Sequence, residues 1–172
     1  MLPNRIRVLW IEDEARYQLN ELMGAVLYRR EYGLNLAENA SEAMQILTGE
    51  VQYNVIIVDM RIPPGEHDTW KAIYQKQGSD KTAARLGYYL VQWMLGKLNG
   101  EYGPLAPPPN WISPNIIAIF SAEEKAAIEQ ILTMGIEVYQ PKDASYPDDI
   151  LLRLISQVLN KKQPPLKELA SS

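Results

Sequence analysis

The sequence alternates short apolar runs with longer stretches in which apolar residues recur every three or four positions. Short apolar runs bounded by turn residues are typical of buried strands. We predict five strands, at residues 6–11, 34–38, 54–59, 115–121 and 136–141. All but the second lack the alternation of apolar and polar residues that marks a half-exposed strand, so both faces of the sheet should be covered.

A stretch with helical spacing follows each predicted strand. We predict helices at residues 14–33, 41–49, 86–98, 122–135 and 146–162, three of which stop at a glycine. Five strand–helix units in succession predict an α/β domain in which a doubly wound, five-stranded parallel sheet has helices on both faces. Residues 1–162 should form this single domain, and residues 163–172 a tail or the start of a linker.

Composition narrows the classes of function. The 172 residues include 17 basic and 21 acidic ones but no cysteine, and His67 is the single histidine. Disulfides and thiolate metal sites are therefore excluded, and a direct nucleic-acid interface is disfavoured by the net charge of −4. Neither a long apolar segment for a membrane span nor a signal-peptide pattern is present, so we expect a cytoplasmic protein.

Polar residues stand at the end of four predicted strands: Glu12 and Asp13, Asp59, Ser121, and Lys142. In a parallel sheet these ends meet at one edge, where ligands bind. Taken singly, each has an ordinary explanation, because Asp13 and Ser121 are common helix caps and a lysine is commonly exposed. It is the combination that indicates a site.

The predicted cluster has a coherent chemistry. The carboxylates of Glu12, Asp13 and Asp59 would repel one another, and a hard cation such as Mg²⁺ relieves that repulsion. Lys142 and Ser121 would add an ammonium and a hydroxyl. Such a group of residues suits a phosphoryl group, which an aspartate can accept as a nucleophile.

The motifs at these strand ends resemble those of a known family, the receiver domains of two-component response regulators. "VLWIEDE" resembles its first strand with an acidic pair, and "VIIVDMRIP" its phosphoacceptor motif. "IAIFSA" and "GIEVYQPK" resemble the motifs that carry its hydroxyl and lysine. The resemblance covers most of residues 5 to 160 and implies a CheY-like, flavodoxin-like (βα)5 fold with strand order 2-1-3-4-5.

The resemblance also implies roles for individual residues. Asp59 would be phosphorylated by a histidine kinase or a phosphotransfer protein. Mg²⁺ would be held by Asp13, by Asp59, by the backbone carbonyl of Arg61 and, directly or through water, by Glu12.

The remaining implied roles concern the response to phosphorylation. Ser121 and Lys142 would bind the phosphoryl oxygens, and Tyr139 would be a switch residue that turns inward when Ser121 moves. The surface that binds an unidentified downstream protein would then change.

The sequence departs from the family near two of these residues. Pro141 precedes Lys142 and Asp143 follows it, whereas the family usually has proline after the lysine, so Asp143 is a competing partner for the ammonium. Arg61 is a long cation beside the acceptor. Together with Glu123 it would either bridge over the phosphate and shield it, or form an exposed ion pair of little energetic value.

Two insertions relative to the family lie after strand three, at about residues 64–84, and before strand four, at about residues 100–113. The first should lie at the edge of the site and contain a short helix at about 69–76, capped by Asp68 or Thr69 and anchored by Trp70, Ile73 and Tyr74. The second, rich in proline, should lie on the far rim.

Three functions remain to be compared. The first is a phosphorylated receiver, which is not an enzyme acting on an external substrate. The second is a pseudo-receiver that binds partners without phosphorylation. The third is a Mg²⁺-dependent phosphatase, which needs a second aspartate two residues after the nucleophile. Arg61 occupies that position, and this argues strongly against a phosphatase.

Overall fold

The sheet has the predicted architecture. A computed structural model describes residues 4–17, 19–77, 85–123, 125–143 and 145–161. Five parallel strands pair in the order β2-β1-β3-β4-β5, which confirms the predicted order. The strands are β1 (Ile6–Ile11), β2 (Tyr32–Ala37), β3 (Val55–Val58), β4 (Ile117–Ser121) and β5 (Val138–Pro141).

Helices cover both faces of this sheet. They are α1 (Asn20–Leu27), α2 (Ala40–Leu47), α3 (Asp68–Lys76), α4 (Leu86–Met94), α5 (Lys125–Leu132) and α6 (Ile150–Lys161), with 3-10 turns at Gly100–Tyr102 and Pro114–Ile116. Alternate strand residues point to opposite faces. Trp10 and Ile57 accordingly lie in a core with α1 and α6, while Ile11 and Val58 lie in a second core with α2 to α5. β1, β3 and β4 are thus buried on both sides, as predicted, whereas the edge strands β2 and β5 are mostly half-buried.

The first helix is shorter than the sequence pattern predicts. Residues 13–17 form turns, in which the amide of Glu14 donates to Glu12 Oε1 at 3.2 Å and the amide of Leu19 to the Glu14 carbonyl at 3.1 Å. Local hydrogen bonds of the acidic segment therefore delay the start of α1 to Asn20. At the other end the prediction is also wrong, because Gly33 pairs with Arg7 within the sheet.

The insertion after β3 contains the predicted helix. Its observed extent, Asp68–Lys76, confirms the prediction for residues 69–76, and Trp70 and Ile73 are fully buried. The cap differs, since His67 Nδ1, rather than Asp68 or Thr69, accepts the hydrogen bond from the Thr69 amide at 3.2 Å. α3 is therefore part of the second core.

The two insertions contact each other, so the proline-rich one does not lie on the far rim alone, although its Trp111 does contact Tyr53 there, just before β3. Thr69 Oγ1 donates to the Pro104 carbonyl at 2.7 Å. Gly103 has φ 130°, a conformation that favours glycine, and a Cβ there would lie 2.9 Å from Thr69 Oγ1. This turn brings the proline-rich segment back onto α3.

The contact between the insertions extends along α3 and α4. Trp93 Nε1 donates to the Ala106 carbonyl at 2.7 Å, and the Lys76 ammonium lies 4.8 Å from the centre of the Tyr102 ring. The predicted tail at 163–172 and residues 78–84 of the first insertion lie outside the described residues. None of the described helices has the length and hydrophobicity of a membrane-spanning segment.

Candidate functional site

The parallel register brings the predicted site residues to one edge of the sheet. Asp59 directly follows β3, and its amide donates to the Ile11 carbonyl at 3.0 Å. Glu12 directly follows β1, with its amide donating to the Ala37 carbonyl at 2.9 Å. Backbone pairing alone thus places Asp59 and Glu12 side by side, independently of any side-chain contact.

An acidic cluster forms at this edge from Glu12, Asp13, Asp59 and Lys142. The three carboxylates each offer an oxygen, and these oxygens lie within 4.8 Å of one another. Lys142 Nζ lies 3.2 Å from Asp59 Oδ2 and also donates a hydrogen bond to Glu12 Oε2. Glu12 and Asp59 are buried, and Asp13 is half-buried. The cluster therefore holds three carboxylates and one ammonium in a region with little water.

Burial and mutual repulsion perturb this cluster. Burial, followed by repulsion from Asp59, raises the pKa of Glu12 to about 8, although Lys142 acts in the opposite direction. Burial lowers the pKa of Lys142, but attraction to Asp59 and Glu12 outweighs this effect, so its pKa lies above the usual value. The carboxylates are therefore only partly neutralised by the lysine.

The cluster fits a divalent cation. Asp59 Oδ1 is buried and has no hydrogen-bond partner within the described part of the chain. A buried carboxylate oxygen is costly to leave unpaired. The candidate metal ligands in the cluster are all carboxylate oxygens, which is the ligand type that Mg²⁺ prefers. An unpaired oxygen, two neighbouring carboxylates and an excess of negative charge together make the cluster compatible with a divalent metal ion.

Ser121 lies directly beside this cluster, as predicted. Its side chain is fully buried at the end of β4, and its Oγ accepts from the Met60 amide at 3.4 Å. The amide of Lys142 donates to the Ser121 carbonyl at 2.8 Å. Backbone pairing thus places Ser121, at the end of β4, beside Lys142, directly after β5.

The unusual residues around Lys142 do not displace it. Asp143 Oδ1 accepts from the Ser145 amide at 2.9 Å, and hydrogen bonds from Ser145 lower the pKa of Asp143. Pro141 lies in β5, where it pairs with Ser121. Asp143 is therefore engaged locally, while Lys142 is directed at Glu12 and Asp59.

A second group of charges, the arginine cluster, comprises Arg61, Arg85 and Glu123. Glu123 Oε1 lies 2.5 Å from Arg61 Nε, and its Oε2 lies 3.4 Å from Arg85 Nη2. The Glu123 side chain is only 5% exposed, while the arginines are 42% and 46% exposed. The predicted partnership of Arg61 with Glu123 is present, and the buried carboxylate makes it more than an exposed ion pair.

Tyr139, the predicted switch residue, is half-buried on β5. Its hydroxyl donates to the carbonyl of Glu123 at 2.6 Å. Tyr139 is thus connected to the loop that follows Ser121, and its movement on phosphorylation stays a prediction.

Sequence reasoning missed the attachment of α4 to the site. The amide of Gly87 donates to the Met60 carbonyl at 3.0 Å, and a Cβ at Gly87 would lie 2.1 Å from the Asp59 carbonyl oxygen. Only glycine permits this approach. Arg85 directly precedes α4, where no motif marks it, and a glycine two positions later, within the first turn of an apolar helix, was the available signal.

Comparison with known proteins gives a consistent result for the fold alone. No protein-family model and no curated protein matches the sequence. Among solved structures, the chain is similar to the non-phosphorylated HemR receiver domain from Leptospira biflexa, with a TM-score of 0.59 and 17% identity. That match covers 93% of this chain and 98% of the other.

Two further structures support the same conclusion. A CheY-like response regulator receiver domain protein from Methanospirillum hungatei gives a TM-score of 0.58 at 15% identity, over 92% of this chain and 96% of that one. A two-component response regulator from Clostridium difficile gives 0.57 at 16% identity, over 93% and 100% of the two chains. The chain therefore has the fold of CheY-like receiver domains.

Proposed function

We propose that the protein is a phosphorylatable receiver of a two-component system. The observation that carries the proposal is the state of Asp59. One of its carboxylate oxygens lies 3.2 Å from the Lys142 ammonium, and the other is buried and unpartnered within the described residues. An acceptor aspartate needs this combination of an oriented oxygen and nearby positive charge.

In the proposed reaction, an Asp59 oxygen attacks the phosphorus of a phosphohistidine on a kinase or phosphotransfer protein. A P–O bond forms as the P–N bond breaks, and the electron pair remains on the departing imidazole nitrogen. Lys142 and Ser121 bind the oxygens of the transferred group. The protein is thus modified itself and turns over no external substrate.

Mg²⁺ is the proposed cofactor, held by Asp13, Asp59, the Arg61 backbone carbonyl and, directly or through water, Glu12. It supplies positive charge that offsets the negative charge of the phosphoryl oxygens during transfer. Lys142 alone faces three carboxylates, so a second positive charge is needed before a further anion can enter.

The test is incubation with acetyl phosphate and Mg²⁺, followed by intact-mass measurement. We expect one phosphoryl group on the natural chain, none without Mg²⁺ and none on Asp59→Asn. The matched control is Asp143→Asn, which removes a nearby carboxylate that bonds Ser145 instead and should still be modified. An adduct that persists on Asp59→Asn would refute the assignment. A natural chain that is never modified would favour the pseudo-receiver.

A further inference from the structure

Glu123 joins four segments of the chain at the end of β4. Its amide donates to Ser121 Oγ at 3.4 Å, and its carbonyl accepts from the Tyr139 hydroxyl at 2.6 Å. Its carboxylate contacts Arg61 from the loop after β3 and Arg85 from the start of α4. A change in the partners of this one carboxylate therefore reaches both loops.

The two arginines do not hold Glu123 equally. Arg61 makes the close contact, at 2.5 Å, whereas the Arg85 contact is longer, at 3.4 Å. Arg61 is two residues from Asp59 and is 42% exposed, so its guanidinium, with five N–H groups, has donors left for another anion. Arg61 is thus the arginine that an anion on Asp59 would attract first.

Glu123 cannot remain without a cation, because its side chain is 5% exposed and an uncompensated buried charge is strongly unfavourable. A phosphoryl group is a stronger attractant for a guanidinium than a carboxylate, since it offers three oxygens and up to two negative charges. When Arg61 turns toward such a group, Arg85 is the cation that remains for Glu123.

We propose that modification of Asp59 transfers Glu123 from Arg61 to Arg85 and thereby draws the first turn of α4 toward the end of β4. This inference rests on the proposed function. The turn can respond as a unit because the Gly87 amide is already bonded to the Met60 carbonyl, next to Asp59.

A cavity beside the first turn of α4 gives room for this movement. A cavity of about 180 Å³ lies between α4 and α5, lined by Met60, Arg85, Tyr88 and Ile128 among others. Tyr88 reaches across it to α5, where its hydroxyl donates to Gln130 Oε1 at 2.8 Å. A tighter contact between Arg85 and Glu123 would therefore reshape a surface formed by both helices.

The experiment uses NMR on the whole chain, with and without beryllium fluoride and Mg²⁺. Bound fluoride is observed directly by fluorine NMR, and the readout is the hydrogen-exchange rate of the Gly87 amide. In the natural chain we expect this rate to fall at least about fivefold, the factor that corresponds to about 1 kcal/mol. In Arg85→Gln and Glu123→Gln it should change by less than about twofold. Arg153→Gln, which breaks an exposed pair between α6 and Asp149 just before it, is the matched control and should behave as the natural chain.

Each outcome decides the matter. Bound fluoride with an unchanged Gly87 rate in the natural chain overturns this inference and leaves the proposed function intact. A rate that also falls fivefold in Arg85→Gln overturns it as well. If Glu123→Gln does not fold, Arg85→Gln alone decides, since Arg85 is half-exposed. If neither bound fluoride nor a phosphoryl adduct is found, the proposed function fails and this inference fails with it.

Discussion

The two charged clusters beside β3 have opposite imbalances. The acidic cluster contains three carboxylates and a single ammonium, all of them buried or half-buried. The arginine cluster contains one buried carboxylate and two guanidiniums that are nearly half-exposed. The first lacks positive charge, whereas the second has more than its carboxylate needs.

This difference indicates what each cluster can do. A deficit of positive charge in a buried site is relieved by a bound cation, so the acidic cluster is suited to binding one. A surplus on exposed arginines can be redirected at small cost, because the side chains reach water in either position. Asp59 and Arg61 lie in the short segment between them, where an anionic group together with its cation would satisfy both imbalances.

The largest effect is expected from removing the lone cation of the acidic cluster. Lys142→Met leaves Asp59 and Glu12 buried without their partner, which should lower the free energy of unfolding by about 3 kcal/mol in the absence of Mg²⁺. Urea unfolding measures this. Lys161→Met, which breaks an exposed pair with Glu137, should cost less than about 1 kcal/mol. Equal losses of unfolding free energy in Lys142→Met and Lys161→Met would show that the acidic cluster does not depend on Lys142 for its neutralisation.

The next effect concerns Mg²⁺. At a hundredfold excess over its dissociation constant, Mg²⁺ should raise the free energy of unfolding of the natural chain by about 2.7 kcal/mol. Thermal unfolding with Mg²⁺ and then with EDTA measures the gain. It should largely disappear in Asp13→Asn and persist in Glu123→Gln, which alters only the arginine cluster. A gain that survives Asp13→Asn would place the cation elsewhere.

The smallest effects of single substitutions are expected in the arginine cluster. Arg61→Gln or Arg85→Gln alone should lower the free energy of unfolding by about 1 kcal/mol or less, since Glu123 retains the other arginine. The double variant should cost about 3 kcal/mol, more than the sum, because the buried carboxylate then has no partner. A double-mutant cycle by urea unfolding measures the coupling. Simple additivity would mean that the two arginines do not share Glu123.

The acidic cluster was predictable and the arginine cluster only in part, for a physical reason. Ser121 ends a strand, Asp59 and Lys142 directly follow strands, and parallel pairing brings all these strand ends to one edge. Arg85 follows the insertion after β3, which shifts it relative to the motifs of the family. Its distance along the sequence therefore gives no indication that it contacts Glu123. Its contact depends on how α4 packs, which local pattern does not encode.

The same reason explains the errors in the fold. The helical stripe of residues 14–33 is real, but hydrogen bonds of Glu14 with the Glu12 side chain and with the Leu19 amide override it at the start. The predicted helix of the first insertion was correct because Trp70 and Ile73 are spaced for one buried face. The contact between this helix and Pro104 was not predictable, because it requires the turn at Gly103.

The contact between α3 and the proline-rich segment constrains how the protein can evolve. α3 and the proline-rich segment are separated by the whole of α4, yet each buries surface on the other through Thr69 and Lys76. Losing α3 alone would leave the Pro104 carbonyl without Thr69, and losing the proline-rich segment alone would leave Trp93 Nε1 without its acceptor at Ala106. In proteins related by descent to this one, the two insertions should therefore be present together or absent together, although they are separate in the sequence.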